Sequence, residues 1–225
     1  MPPYEPEQID RIVVLDFGSQ TCHLIGRRIR ERGVYVEIIP GESDPADWFS
    51  EKVKGIILSG SPASVHDADA PSPVDTIYTL GVPILGICYG LQYTTHTHGG
   101  VVARSSSREY GPAPVSIHDR HPVLAGIDAR FLSWMSHGDA IRQLPAGGSE
   151  IASTAHGVPA VISVPALHFV GLQFHPEVTH TQNGALILDN FATRVCGARR
   201  QWSVEDYRNQ LEVDVQERVG DNNVL

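Results

Sequence analysis

The sequence is poor in cysteine, in positive charge and in long apolar runs, and each shortage argues against a class of protein. Its three cysteines, Cys22, Cys88 and Cys196, lie far apart, so neither a disulfide framework nor a zinc knuckle is indicated. The net charge is -9 and no basic cluster offsets it, which argues against nucleic acid as the main partner. No apolar stretch approaches the length of a membrane span, and the polar residues 1–10 lack a signal-peptide core. We therefore expect a cytoplasmic protein with reduced thiols.

The rest of the composition is that of a globular protein, and a chain of 225 residues can bury one large core. In the first part of the chain, short apolar runs alternate with helical patterns, which predicts β-α-β units. The predicted strands cover residues 12–15, 34–39, 55–58 and 82–85, and a helix is expected over residues 20–32. The predicted fold class is α/β, an open and mostly parallel sheet with helices on both faces, whose functional loops lie at the carboxyl ends of the strands.

The second half of the chain follows a different pattern. Between residues 100 and 170, short apolar stretches are broken by Gly, Pro, Asp and His, which is typical of antiparallel strands and hairpins. We interpret this region as a small β-rich extension of the same domain. A helical pattern over residues 183–194 is expected to close the α/β core.

Cys88 lies between Gly86 and Gly90, directly after an apolar run. A strand, a sharp turn and a helix in this order lift a nucleophile above a parallel sheet, and the glycines would tolerate the strained backbone. A helix beginning near Leu91 would favour the thiolate and offer free backbone N–H groups to an oxyanion. The alternative is that Cys88 is a small buried apolar residue at a strand end. A base near the sulfur would decide between these interpretations.

His175 is the candidate base. It follows the apolar run of residues 169–174, so we expect it at the same carboxyl edge of the sheet as Cys88. Pro176 restricts His175 to extended backbone, and Glu177 is close enough to accept the second imidazole N–H and fix the tautomer. A lone histidine before a proline is more often a turn residue, but together with a cysteine elbow the pattern favours a Cys-His-Glu triad.

Four segments carry a family resemblance. They are residues 16–20 (Asp-Phe-Gly-Ser-Gln), the Cys88 elbow followed by Gln92, residues 134–139 (Trp-Met-Ser-His-Gly-Asp) and residues 173–181 (Gln-Phe-His-Pro-Glu-Val-Thr-His-Thr). Together they resemble class I glutamine amidotransferases, and within that family the amidotransferase domain of GMP synthetases. The elbow and the His-Pro-Glu sequence are shared by the whole class, whereas the first segment and the end of the last are more specific. The resemblance runs from about residue 11 to residue 196 and implies a flavodoxin-like fold with glutamine as substrate.

The resemblance also implies roles for residues around the nucleophile. The backbone N–H of Tyr89 and the loop that contains Gly60 and Ser61 are expected to stabilise an oxyanion. The family usually has two glycines where this chain has Gly60-Ser61, and Ser61 tolerates a positive φ poorly, so the geometry of this loop is an open point.

A further set of residues is expected, by the same resemblance, to hold glutamine. The set consists of Gln92 and a loop formed by Ser136, His137, Gly138 and Asp139. Asp139 is the expected partner of the α-ammonium group. The alternatives are a helix-surface glutamine at position 92 and an ordinary turn residue at position 139.

The resemblance implies a partner for the released ammonia. An ATP-dependent synthetase (ATP pyrophosphatase) domain or subunit would use it to convert xanthosine monophosphate to GMP. ATP and Mg²⁺ would bind to that partner, so no cofactor and no metal are expected in this chain. Two alternatives remain open, a class I amidotransferase of another pathway and a catalytically silent glutamine-binding regulatory subunit.

The predicted domain organisation has three parts: a disordered leader over residues 1–10, the amidotransferase domain over residues 11–198, and a linker over residues 199–225. In the linker, Ser203 as N-cap and apolar residues at helical spacing predict a helix that ends at Gly220. Residues 221–225 read as the first half of a strand of a truncated synthetase domain, and the alternative is a frayed C-terminus. An isolated domain is then expected to turn glutamine over slowly, because it lacks the surface that would report a loaded acceptor.

Overall fold

A single sheet organises the chain. The computed structural model describes residues 8–220, apart from the side chains of residues 105–109, 210, 214 and 217. The strands of the described residues are β1 (Arg11–Asp16), β2 (Tyr35–Pro40), β3 (Val53–Leu58), β4 (Ile84–Ile87), β5 (Val101–Ile117), β6 (Arg130–Gln143), β7 (Ser149–Thr154), β8 (Pro159–Val164) and β9 (Phe169–Leu172). They lie side by side in the order β2-β1-β3-β4-β9-β8-β7-β5-β6.

Helices connect and cover these strands. They are α1 (Cys22–Arg30), α2 (Pro45–Trp48), α3 (Tyr89–Thr97), α4 (Gly184–Asn190) and α5 (Val204–Val219). None of the helices within residues 8–220 is long and apolar enough to cross a membrane.

The sheet has a parallel half and an antiparallel half. Strands β2, β1, β3, β4 and β9 run parallel to one another. Each of β8, β7, β5 and β6 runs antiparallel to its neighbour. The predicted open α/β sheet is therefore confirmed, and the β-rich region is a continuation of that sheet, joined to it where β8 pairs with β9.

Both faces of the parallel half are buried, as alternate residues of β1 show. Ile12 and Val14 pack in the same cluster as the buried residues of α1 and α4. Val13 and Leu15 pack in the cluster on the opposite face, which includes Leu91 of α3. Burial on both faces explains why β1 reads as a continuous apolar run in the sequence.

The helix boundaries differ from those expected, for identifiable reasons. Helix α1 begins at Cys22, because the preceding residues form a turn in which Asp16 Oδ1 accepts hydrogen bonds from two backbone N–H groups, those of Gly18 and Ser19. Helix α3 begins at Tyr89, because Cys88 is its N-cap. The helical pattern of residues 183–194 corresponds to α4 followed by the π-helical turn Phe191–Val195.

The C-terminal helix α5 has the caps expected from its sequence. Ser203 Oγ accepts a hydrogen bond from the backbone N–H of Asp206, and Gly220 follows the last turn. Its apolar residues remain solvent-exposed: Val204 by 61%, Tyr207 by 40%, Leu211 by 44% and Val215 by 54%. Their helical spacing therefore does not arise from packing within the described chain. The strand predicted for residues 221–225 lies outside the described residues.

Asp10 ties the start of the domain to its end. The residue is 1% exposed, and its carboxylate accepts hydrogen bonds from the Arg199 backbone N–H at 3.1 Å and from Arg199 Nε at 2.8 Å. Asp10 thus belongs to the folded domain, so the predicted leader over residues 1–10 extends too far toward the C-terminus. Residues 1–7 of that leader lie outside the described residues.

We predict that Asp10→Ala lowers the free energy of unfolding by about 1–2 kcal/mol at neutral pH, because it removes the charged hydrogen bonds of a buried carboxylate, whereas the exposed guanidinium of Arg199 stays hydrated. The hydrogen bond from Arg199 holds the pKa of Asp10 below its ordinary value of 3.8. The stabilisation is therefore complete above that ordinary value and is lost as the pH falls through the lower folded-state value.

Urea denaturation at neutral and at progressively lower pH measures this effect. Asp69→Ala, at an exposed position, is the matched control. Equal destabilisation by the two substitutions would contradict the role of Asp10.

Candidate active site

Cys88 occupies a strained turn between β4 and α3. Its backbone has φ 50° and ψ -98°, and among the described residues only Cys88, His168 and Asn183 combine a side chain with a positive φ. Its backbone N–H donates to the Leu172 carbonyl at 2.7 Å, and its carbonyl accepts from the Gln92 N–H at 3.0 Å. The sharp turn expected from the sequence is present, and its hydrogen bond to Leu172 joins the end of β4 to the end of β9 where α3 begins.

The two glycines beside Cys88 serve close packing. A Cβ atom added to Gly86 would lie 2.7 Å from the carbonyl carbon of Gly90. One added to Gly90 would lie 2.5 Å from the Cβ of Leu58 in β3. Neither glycine has a positive φ in the described chain. The expectation that the glycines absorb the backbone strain is therefore wrong, because Cys88 itself holds the strained conformation.

His175 lies beside the sulfur and is held from behind by Glu177. Its Nδ1 donates to Glu177 Oε1 at 2.8 Å, which leaves Nε2 free to face the neighbouring Cys88. Burial lowers the pKa of His175, but the hydrogen bonds and negative charges of Cys88 and Glu177 outweigh it and raise the pKa to about 10. The imidazole is thus held as a cation between two acidic groups.

Glu177 is a buried carboxylate, 1% exposed. Besides His175, its Oε1 accepts a hydrogen bond from Thr21 Oγ1 at 2.7 Å. Its backbone carbonyl accepts from Arg28 Nε at 3.3 Å. These contacts fix the carboxylate from α1 as well as from the segment after β9.

The loop after β3 comes close to His175. A Cβ atom added to Gly60 would lie 3.3 Å from His175 Cε1, so a glycine leaves room for the ring. Within the described chain neither Gly60 nor Ser61 has a positive φ. The open point about Ser61 is therefore resolved, since its backbone lies outside the region that disfavours a side chain.

Tyr89 is the first residue of α3, where backbone N–H groups have no acceptor within the helix. Its side chain is buried, and its hydroxyl donates to the carbonyl of Pro71. The position of its backbone, directly after Cys88, suits an oxyanion donor.

A cleft of about 660 Å³ opens above Cys88. Most of the residues singled out in the sequence line it: Ser61, Cys88, Gln92, Ser136, His137, Gly138, Asp139 and His175. The structure thus brings the candidate nucleophile, base and substrate-binding residues to one place. Their catalytic and binding roles remain predictions.

Residues 136–139 form part of strand β6, and the expectation of a loop is wrong here. The pairing of β5 with β6 shifts register between Arg104 and Glu109, opposite this segment. Asp139 lies in the strand with its Oδ2 accepting from Ser64 Oγ at 2.6 Å, and Ser136 offers its carbonyl to Cys88 Sγ at 3.8 Å. The irregular pairing lets consecutive residues of one strand face the cleft.

Gln92 is buried, which excludes the helix-surface alternative. Its Nε2 donates to the Asp139 carbonyl at 2.9 Å and lies 3.4 Å from Gln173 Oε1. His137 Nδ1 donates to the same carbonyl of Asp139 at 2.8 Å. The side chain of Gln92 therefore fastens α3 to β6 beside the nucleophile.

Two residues of the site were not selected from the sequence. Gln173 is fully buried, and its Nε2 lies 3.9 Å from Cys88 Sγ, within hydrogen-bonding reach of a sulfur acceptor. A polar residue inside the apolar run before His175 was the available signal. Thr21, which contacts Glu177, is far away in sequence and carried no such signal.

Within the described part of the chain, no group of three His, Cys, Asp or Glu side chains is arranged to hold a metal ion. His180 stacks on Trp134, a residue at the rim of the cleft, with ring centroids 4.5 Å apart.

Comparison with known sequences places these features in a family. The family model for class-I glutamine amidotransferases matches residues 13–195. A glutamine-hydrolyzing GMP synthase of Thermomicrobium roseum is 47% identical over 216 residues, and one of Candida albicans is 46% identical over 220. These matches cover 96% and 97% of this chain but 41% of each relative, so the chain spans about two fifths of their length.

Solved structures agree. A protein of Thermoplasma acidophilum, described as a candidate subunit of a GMP synthase, has a TM-score of 0.75 and 28% identity, covering 91% of this chain and 98% of that one. A glutamine amidotransferase of Thermotoga maritima shares the fold, with a TM-score of 0.59 and 18% identity over 92% of this chain and 85% of its own. From the extent of the family match, the chain belongs to the class-I glutamine amidotransferases.

Proposed function

We propose that this chain is the glutaminase part of a glutamine-hydrolysing GMP synthase. It releases ammonia from glutamine through Cys88, His175 and Glu177, and a synthetase domain or subunit uses that ammonia to aminate xanthosine monophosphate to GMP. The observation that carries the proposal is the placement of Cys88 and His175 in one cleft, with the buried Glu177 bonded to the far nitrogen of His175 at 2.8 Å. The GMP synthase names of the relatives support the choice of pathway.

The first half of the reaction makes a thioester. The Cys88 thiolate attacks the side-chain carbonyl carbon of glutamine, and the carbonyl oxygen becomes an oxyanion. The proposed donors to that oxyanion are the Tyr89 backbone N–H and the loop of Gly60 and Ser61. The carbon–nitrogen bond then breaks, and the leaving nitrogen takes a proton from His175 and departs as ammonia.

The second half regenerates the enzyme. A water molecule gives a proton to His175 and attacks the thioester carbon. The carbon–sulfur bond breaks, glutamate leaves, and the thiolate returns to its place beside the imidazolium. Glu177 keeps the ring in one tautomer throughout, because its Oε1 accepts from Nδ1 and so directs Nε2 at the reacting atoms.

The proposed glutamine-binding group is Gln92 with Ser136, His137, Gly138 and Asp139. Asp139 is the one carboxylate of this group, and it lines the cleft above the sulfur. A carboxylate at that place suits the α-ammonium group of glutamine. Ser64, which donates to Asp139 Oδ2 at 2.6 Å, holds the carboxylate in position for this contact.

The proposed partner is the synthetase portion, which would also bind ATP and Mg²⁺. The fraction of the relatives left uncovered by this chain has room for that portion. In such relatives the two portions would belong to one chain. The structural neighbour described as a subunit, 98% of which is matched, supports an alternative arrangement in which the two portions are separate subunits. We also propose a cytoplasmic location, where the free thiols of Cys22, Cys88 and Cys196 would remain reduced.

We predict that Cys88→Ala lowers ammonia release from glutamine by about a thousandfold or more, because the nucleophile is lost. The melting temperature should change little, since a small side chain is replaced by another and the cavity is small. In the presence of the synthetase portion, GMP formation from added ammonia should survive. Cys196→Ala, outside the cleft, is the control. Substantial glutamine-dependent turnover by Cys88→Ala would rule out the proposed nucleophile.

We predict that Glu177→Gln lowers the pKa of His175 from about 10, because the neutral amide no longer stabilises the imidazolium. Titration of the histidine ring signals by NMR measures the shift. His180→Gln, at an exposed histidine close in sequence, helps assign the signals without touching Glu177. An unchanged or raised pKa would show that Glu177 does not support the charge on His175.

A further inference from the structure

The turn at the end of β1, residues 16–20 (Asp-Phe-Gly-Ser-Gln), is followed by Thr21, which contacts the carboxylate of Glu177. Asp16 Oδ1 accepts from the N–H groups of Gly18 at 2.9 Å and Ser19 at 3.2 Å. Two residues later, Thr21 Oγ1 lies 2.7 Å from Glu177 Oε1. The proposed reaction gives this turn no task, although it carries one of the most specific sequence motifs.

The directions of these hydrogen bonds follow from the chemistry of the groups. An ionised carboxylate only accepts, so the Thr21 hydroxyl donates its proton to Glu177. The oxygen of Thr21 is then left to accept from Ser19 Oγ, which lies 3.0 Å away. Ser19 Oγ in turn accepts the backbone N–H of Thr21 at 3.2 Å. The turn thus presents one oriented hydroxyl to the carboxylate.

The hydroxyl of Thr21 does not cap the helix that follows it. Thr21 is the N-cap of α1, a position where threonine usually accepts a hydrogen bond from the first turn of the helix, but its side chain makes no such bond. Glu177 Oε2 is buried and has no hydrogen-bond partner among the described residues. The orientation of the carboxylate therefore depends on Oε1, which is held by His175 on one side and by Thr21 on the other.

We propose that Thr21 is a positioning residue for the hydrolysis of glutamine: its hydroxyl locks Glu177 Oε1 in line with His175 Nδ1. The inference rests on the proposed function. Without this donor, only His175 holds Oε1, and the carboxylate is free to turn about its last bond out of line with the ring. The imidazolium would then be less well supported, and the thiolate that it pairs with would be less populated.

The neighbouring thiol does not replace Thr21. Burial, followed by the charge of Asp16, raises the pKa of Cys22 to about 12, so Cys22 stays a neutral thiol. The same property gives a clean chemical readout. Cys196 is only partly buried, but desolvation also raises its pKa, so alkylation at neutral pH reports on Cys88.

The test compares Thr21→Val, which removes the hydroxyl at nearly constant shape, with Thr21→Ser, which keeps it. Thr79→Val is the matched control, since Thr79 is exposed and its hydroxyl bonds to the carbonyl of Thr76. The full chain of each variant is assayed for ammonia release from glutamine and for the rate of Cys88 alkylation by iodoacetamide. Thermal unfolding is recorded for each.

We expect Thr21→Val to lower kcat by about tenfold, the effect of one lost hydrogen bond to a charged group. The KM for glutamine should stay within about twofold, because Thr21 does not belong to the proposed substrate-binding group. Alkylation should slow by about threefold or more, since it depends on the thiolate fraction. Thr21→Ser should restore most of both rates, and Thr79→Val should match the wild type.

Other outcomes overturn the inference. Wild-type kcat and alkylation in Thr21→Val would show that the hydroxyl does not position Glu177. Equal losses in Thr21→Val and Thr21→Ser, accompanied by a lower melting temperature, would assign Thr21 a structural role. If the wild type is alkylated rapidly at Cys88 but releases no ammonia from glutamine, the proposed function fails, whereas the alkylation rates still decide the role of Thr21.

Discussion

The site depends on one backbone constraint, the passage from β4 into α3 through a residue with positive φ. A non-glycine residue in that region costs on the order of 1–3 kcal/mol, so it persists only where the surroundings fix it. Here Gly86 packs closely against Gly90, and Gly90 packs closely against Leu58, so the turn is tightly enclosed. Because the hydrogen bond from Cys88 to Leu172 closes the same turn, the sulfur is placed by backbone contacts.

The constraint also determines the electrostatics. Three ionisable groups meet in a buried place, and each would be costly to bury alone as an ion. His175 lies between Cys88 and Glu177, so its imidazolium has an acidic group on either side. The polar groups around them, such as the Gln173 amide at 3.9 Å from the sulfur, replace part of the water that burial removes. Such a site needs little reorganisation when the charge moves during a reaction.

The sequence predicted the local features of this arrangement well. The order strand, Cys88, helix and the pair His175 and Glu177 after a strand are short-range patterns, and each has a physical reason that can be read without a structure. The glycines at the elbow were assigned to strain when they serve close packing, because a glycine in the sequence does not reveal what approaches it.

Long-range pairing was harder to predict. Residues 136–139 read as a loop because Ser, His, Gly and Asp are turn formers, but pairing with β5 makes them a strand. Gln92 was ambiguous for a similar reason, since its burial depends on the carbonyl of Asp139, which is brought in by β6. Asp10 looked like part of a leader because its partner, Arg199, lies at the other end of the chain.

The parallel and antiparallel halves of the sheet meet at β9, and each half contributes different residues to the site. Cys88 and the His175-Glu177 pair follow strands of the parallel half, whereas residues 136–139 belong to the hairpin of β5 and β6. A hydrogen bond from the His175 N–H to the Trp134 carbonyl, 3.1 Å long, joins the two parts. Changes in the hairpin can therefore alter the lining of the cleft while Cys88, His175 and Glu177 stay where the parallel sheet puts them. In a fold built in this way, one wall of the cleft can vary independently of the turn that places the sulfur.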